Sequence, residues 1–104
     1  MSNAKYRYKD IDDLLTGRLR LAIMAFLMTA EKSDFSEILK ITEATKGNLG
    51  AQIQRLEEAK YISVKKGYLG KRSHMSVNIT KRGRAAFYEH LETLQRMVNG
   101  EPKL

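Results

Sequence analysis

Residues 45–84 read TKGNLGAQIQRLEEAKYISVKKGYLGKRSHMSVNITKRGR, and their apolar spacing changes period twice. Leu49, Ile53 and Leu56 recur at i, i+4 and i+7, one face of a helix. Thr45 is placed to cap it by accepting a backbone N–H from Gly47 or Asn48, so the helix should run to about Ala59. Ile62 and Val64 then alternate with Ser63 and Lys65, and Met75, Val77 and Ile79 alternate with Ser76, Asn78 and Thr80. Both are half-buried strand patterns. Gly67 and Gly70 punctuate the connection, which predicts a hairpin loop over 67–74 that is longer than a tight turn. Thr80 caps a last helix from about Lys81 to Val98, which Asn99-Gly100 and Pro102 bring to an end.

Charge follows the same boundaries. Lys60 to Arg84 holds eight Lys or Arg residues and no Asp or Glu, whereas the other 79 residues sum to −1, so the chain's +7 sits in one block. A polyanion selects such a block, because each phosphate neutralised releases counterions. A solvated hairpin would also tolerate it.

Upstream, Ile11, Leu14 and Leu15, then Leu19, Ile23 and Phe26, predict a helix from about Ile11 to Ala30 with a break near Thr16-Gly17. Its apolar residues on more than one face imply burial by more than one neighbour. Ser33 or Asp34 caps a short helix from Phe35 to about Ile41, and Thr42 to Ala44 form the turn into the 45–59 helix. The order helix, helix, turn, helix, basic hairpin, helix is the winged helix-turn-helix layout. The fold class expected is therefore mainly α with a small β-hairpin (α+β), as a single domain over 5–99 with flexible ends at 1–4 and 100–104. Ser2-Asn3-Ala4 reads as a cloning remnant and carries no weight.

Three segments carry a family resemblance. RLRLAIMAFL from Arg18 is similar to the opening helix of small winged-helix transcriptional regulators of the ArsR/MarR-like superfamily. ATKGNLGAQIQRLEEAKYI from Ala44 resembles their recognition helix and its exit into the wing, and ITKRGRAAF from Ile79 their junction into the final helix. Together they span residues 18–87. The resemblance implies a dimeric, sequence-specific DNA-binding regulator, more often a repressor. The chain departs from the family pattern at Gly50-Ala51-Gln52, where Ser and a basic residue or His are common, and at Lys60, where Gly is usual.

Within that frame the 45–59 helix enters the major groove and the 67–74 wing meets the minor groove or the backbone. Asn48 and Gln52 can pair bidentately with adenine, and Ala51 can meet a thymine methyl. Lys46 and Arg55 are phosphate-side candidates, and Thr45 at the helix entrance completes the set. Gly47 and Gly50 let the backbone come close. In the wing, Lys71, Arg72 and Ser73 are the candidates, with Arg72 placed to enter an A·T-rich minor groove. Lys81 and Arg82 lie where the helix dipole disfavours cations, which a docked phosphate would offset. This reading needs the polar stripe around Gln52 and the wing around Arg72 to share one exposed surface. A winged helix serving as a protein-interaction or RNA-binding adaptor is the alternative, although its usual aromatic platforms or acidic wing are missing here.

A selective reader of DNA this small needs two copies, and residues 11–30 and 84–98 are the expected homodimer surface, with Phe87, Leu91, Leu94 and Val98 as its stripe. The chain has no cysteine and two histidines. Thiolate chemistry is thereby excluded, and His74 and His90 fall in different elements with no carboxylate cluster near, so no metal or cofactor is expected. No paired nucleophile and base or phosphate-cradling loop points to an enzyme. The longest apolar run, Leu21 to Met28, is too short to span a bilayer, and a cytoplasmic location is expected. Met24, Met28 and Met97 read as core-filling rather than as an effector pocket. No small-molecule effector is legible.

Overall fold

The structure, a computed structural model, describes residues 10–100. Asp13–Thr16 form one 3-10 turn. It is followed by α1 (Arg18–Ala30), β1 (Lys32–Asp34), α2 (Phe35–Thr42), α3 (Lys46–Glu58), β2 (Ile62–Leu69), β3 (Arg72–Ile79) and α4 (Lys81–Asn99). The strands make an antiparallel sheet in the order β1-β3-β2. Except for Gly100, which takes the left-handed conformation that closes α4, the termini expected to be flexible lie outside the described residues.

The break near Gly17 is real, but what precedes it is a 3-10 turn and not an α-helix. Asp12 accepts the Leu14 N–H at 2.9 Å, a local side-chain bond that competes with helical pairing. Leu15 still reaches the core, fully buried. Helices α2, α3 and α4 start where short polar side chains cap them. Asp34 accepts from the Glu37 N–H, Thr45 from Asn48 and Thr80 from Gly83.

The three stripe residues of α3 go where their period sends them. Leu49 and Leu56 are fully buried and Ile53 nearly so, against Ile23, Met24, Leu27, Ile38, Ile62, Val77 and Phe87. Burying one such aliphatic side chain is worth about 1.5–3 kcal/mol, so this stripe fixes the rotation of α3 and hence which face it shows to solvent.

Two features of the sheet differ from the sequence expectation. The strand β1 has only three polar residues, and its partner settles it: Ser33 pairs with Val77, and the Ile79 N–H donates to Glu31 O at 3.0 Å. The wing has no long loop. Its strands pair as far as Leu69 with Arg72, leaving only Gly70-Lys71 between them. Gly70 has φ +65° and Lys71 is not among the residues with positive φ, the pattern of a two-residue turn with glycine first. Gly67 is a strand residue paired with His74.

Lys60 leaves α3 with φ +66°, in the left-handed region that disfavours a side chain carrying Cβ. Its carbonyl accepts the Thr80 hydroxyl at 2.7 Å, a main-chain partner that glycine would keep. Lys60→Gly is therefore expected to stabilise the fold by about 0.5–1 kcal/mol, read as a higher urea midpoint with unchanged slope.

Candidate nucleic-acid interface

The outward face of α3 carries Lys46, Gly47, Asn48, Ala51, Gln54, Arg55 and Glu58, all exposed. Of the candidates, Thr45, Lys46, Asn48 and Ala51 are thus open to solvent in its N-terminal half, and Arg55 in its last turn. Gln52 is not. One residue advances a helix by about 100°, and the step back from buried Ile53 puts Gln52 on the shoulder of the core. It is half-buried, and its Oε1 accepts from Arg20 Nη1 of α1 at 2.5 Å. A bidentate pairing of Gln52 with adenine would require that bond to be released.

Two grooves flank α3. An open groove of about 790 Å³ runs between the N-termini of α2 and α3 and the wing, and brings Lys46 together with Lys66, Tyr68, Arg72, Ser73 and His74. Asn48 and Gln52 line a different groove, with Arg18 and Arg20 of α1 and the α2–α3 turn. Gln52 and Arg72 thus line separate grooves, both of which take residues from the N-terminal part of α3: Lys46 lines the wing groove, and Asn48 with Gln52 the groove beside α1. Along β2, Lys66 follows Ile62 and Val64 on the inward face, but beyond the core that face becomes a groove wall. Its alternation was readable, and so was the outward position of Gln54 opposite Leu49, Ile53 and Leu56. Neither was among the sequence candidates. Arg20 gave no sequence signal.

Lys71, Arg72 and Ser73 are exposed at the turn end of the hairpin. Lys81 and Arg82, also exposed, start α4 just past the other end, where Ile62 pairs with Ile79. Seven residue steps at ~3.4 Å separate the two ends by about 24 Å, so these cations form two clusters. Arg84, in the same basic block, is committed internally, donating to Met28 O near the end of α1 at 3.0 Å. His74 Nε2 of the wing lies 3.8 Å from Asp34 Oδ2 at the start of α2. Among the described residues no group of three or more His, Asp or Glu is placed to hold a metal. No helix among them is long and apolar enough to cross a membrane.

The base of the wing is held by Tyr61, whose hydroxyl donates to Asp12 Oδ2 at 2.6 Å. Burial, then the bond to Asp12 and its negative charge, push the Tyr61 hydroxyl up to about 12. Unfolded tyrosine ionises near 10, so this contribution is complete below about pH 10 and is lost as pH rises through about 12. Tyr61→Phe is expected to lower the melting temperature at neutral pH and to flatten its fall over that alkaline window, as thermal melts at stepped pH will show.

A family profile described as a winged helix DNA-binding domain matches residues 19–98. The chain belongs to that family. The winged-helix domain is 32% identical over 84 residues to an uncharacterized protein of Methanocaldococcus jannaschii, covering 80% of this chain and 91% of the relative. It superposes on the transcriptional regulator homologue protein of Pyrococcus horikoshii OT3 with a TM-score of 0.76 at 32% identity, covering 84% of this chain and 86% of the other. Bordetella bronchiseptica BpsR, whose DNA binding is regulated by 6-hydroxynicotinic acid, shares the fold at a TM-score of 0.69 and 18% identity, over 89% of this chain and 70% of its own. The expected winged-helix DNA-binding domain is thus found, as is the expected α+β class. Its similar structures are of transcriptional regulators and not of enzymes.

Proposed function

We propose that this chain is a sequence-specific, double-stranded DNA-binding regulator, acting as a dimeric repressor. The N-terminal half of α3 enters the major groove, and the wing rests on the adjacent minor groove or backbone. The observation that carries this reading is the groove in which Lys46, at the exposed start of α3, faces Lys66, Arg72 and Ser73 of the wing. A cationic cleft at the tip of an exposed helix matches the way such helices are seated, with phosphate contacts flanking base contacts. Lys46, Arg55, Lys71, Ser73, Lys81 and Arg82 hold phosphates, with Thr45 at the helix entrance. Arg72 takes the minor groove, and Asn48 and Ala51 meet base edges. The two cation clusters, about 24 Å apart along the hairpin, engage successive stretches of backbone. One domain spans 5–99, and two copies associate through 11–30 and 84–98.

The test is a gel shift of the protein on the DNA upstream of its own gene, against random DNA and RNA of equal length. Selective retention of the upstream duplex is expected. Equal affinity for all three would leave a non-specific polyanion binder, and preference for RNA would favour the adaptor reading. Lys81→Ala is expected to lower the slope of log affinity against log salt by about 0.9, the value of one phosphate contact on duplex DNA. An unchanged slope would remove Lys81 from the interface.

A further inference from the structure

Arg20 makes two hydrogen bonds outside α1. Its Nε donates to Leu14 O at 2.8 Å, across the break in the chain, and its Nη1 donates to Gln52 Oε1 on α3 at 2.5 Å. The local backbone is shaped around this side chain. A Cβ at Gly17 would lie 2.5 Å from the Arg20 guanidinium, so glycine there leaves it room. Gln52 in turn donates its Nε2 to Asn48 Oδ1 at 3.1 Å. Three residues from two helices thus form one chain, running from a half-buried cation to an exposed amide on the outward N-terminal half of α3.

The chain has a direction that chemistry fixes. A guanidinium has donors only, so Gln52 must turn its oxygen towards Arg20 and its nitrogen away. Asn48, meeting that nitrogen, must turn its own oxygen inward. What Asn48 has left to present is its Nδ2, with two N–H groups. A free asparagine on a helix surface offers either end of its amide to a base. This one is held with one end forward.

We infer that Arg20 is a positioning residue for base recognition: through Gln52 it fixes Asn48 as a hydrogen-bond donor, so that Asn48 selects an acceptor edge in the major groove. Guanine offers N7 and O6 there, thymine O4 and adenine N7 beside its N6–H₂ donor, whereas cytosine offers only the donor N4–H₂. The inference rests on the DNA-binding reading above and adds to it which base class is read, and that a residue on α1 sets the choice. It also replaces the bidentate adenine pairing for Gln52, whose oxygen is occupied.

Polarity can be reversed without removing the chain. In Gln52→Glu the carboxylate still accepts from Arg20, but it has no proton for Asn48 and must accept from it as well. Asn48 then turns its Nδ2 inward and its oxygen outward, towards donor edges such as cytosine N4 or adenine N6. Loss of a neutral amide in favour of a carboxylate weakens overall DNA affinity, so ranking among bases is the quantity to read.

The experiment selects duplexes from a library with a randomised core, using the full chain, Arg20→Met and Gln52→Glu, each checked for a cooperative thermal melt. Binding is then measured to single-base variants of the selected site. The wild-type protein is expected to prefer guanine or thymine over cytosine at one position in each half-site, by about tenfold, the order of one good base contact. Arg20→Met should bring that ratio towards unity at the same position and leave the ranking elsewhere in the site. Gln52→Glu should invert it. Should Gln52→Glu keep the wild-type ranking at every position, the inference is overturned while selective binding by the wild type leaves the regulator reading standing. A wild-type protein that enriches no sequence overturns both.

Discussion

Gly83→Ala is expected to cost about 3 kcal/mol, the upper end of what overpacking a tight site exacts, and to lower the melting temperature by roughly 10–20 °C. Gly83 is buried in the first turn of α4, and a Cβ added there would come within 2.1 Å of the Tyr61 carbonyl oxygen and 2.8 Å of its carbon. The obstacle is main chain, so no rotamer change relieves it. Nor can the carbonyl retreat freely, because it accepts the Thr80 N–H at 3.1 Å and the neighbouring Lys60 carbonyl holds the Thr80 hydroxyl. The start of α4 and the exit from α3 are thereby locked at van der Waals contact. The comparison that isolates the cause is Gly47→Ala and Gly50→Ala, also in a helix but with nothing within 4 Å of the added Cβ. Those should raise stability by up to about 1 kcal/mol each, the helix propensity of alanine over glycine. If Gly83→Ala unfolds at the same urea concentration as the wild type, the α3–α4 junction yields more than its hydrogen bonds imply.

The contrast among these glycines shows what a sequence can and cannot convey. All three read alike as glycines in helices, and only the tertiary partner tells them apart. Patterns that depend on local chemistry were legible: the Leu49, Ile53, Leu56 stripe, the caps at Asp34, Thr45 and Thr80, and the alternation of both wing strands. Each reports a cost the chain meets within a few residues. What failed was set by distant segments. The three polar residues of β1 have no strand signature and become a strand because β3 offers an edge. The two glycines of the wing looked like one loop, yet pairing with His74 draws Gly67 into β2. Spacing alone puts Gln52 in an outward stripe, and Arg20, 32 positions earlier, holds its side chain inward. One residue of the expected α4 stripe is not at the surface. Phe87 is buried in the core of its own chain, as are His90 and Thr93, which no hydrophobic pattern would select.

That leaves the rest of α4 as the place where a second copy would show. Tyr88 is 57% exposed, Leu91 46%, Leu94 38% and Val98 82%, and their spacing of three or four residues lines them along one side of the helix. Phe87, at the start of the same stripe, is buried, as are His90 and Thr93 on the neighbouring side of the helix. A two-fold axis beside α4 would let this stripe pack on its own copy, each residue meeting a symmetry partner. The double variant Leu91→Glu/Leu94→Glu places two carboxylates per chain at that contact, four where the copies meet, and is expected to sediment as a monomer at concentrations where the wild type is a dimer. DNA affinity gives the larger effect. A linked pair of domains binds its second half-site at an effective concentration near the millimolar range, which multiplies affinity by about 10²–10⁴. The variant should lose that factor on a site with two half-sites and keep the wild-type affinity on a single one. Because both leucines are already exposed, the variant's secondary structure should stay intact, so a fall on the paired site alone cannot be laid to unfolding. A variant that stays dimeric would move the interface off this stripe. A wild-type monomer that already binds the paired site tightly would remove the need for it.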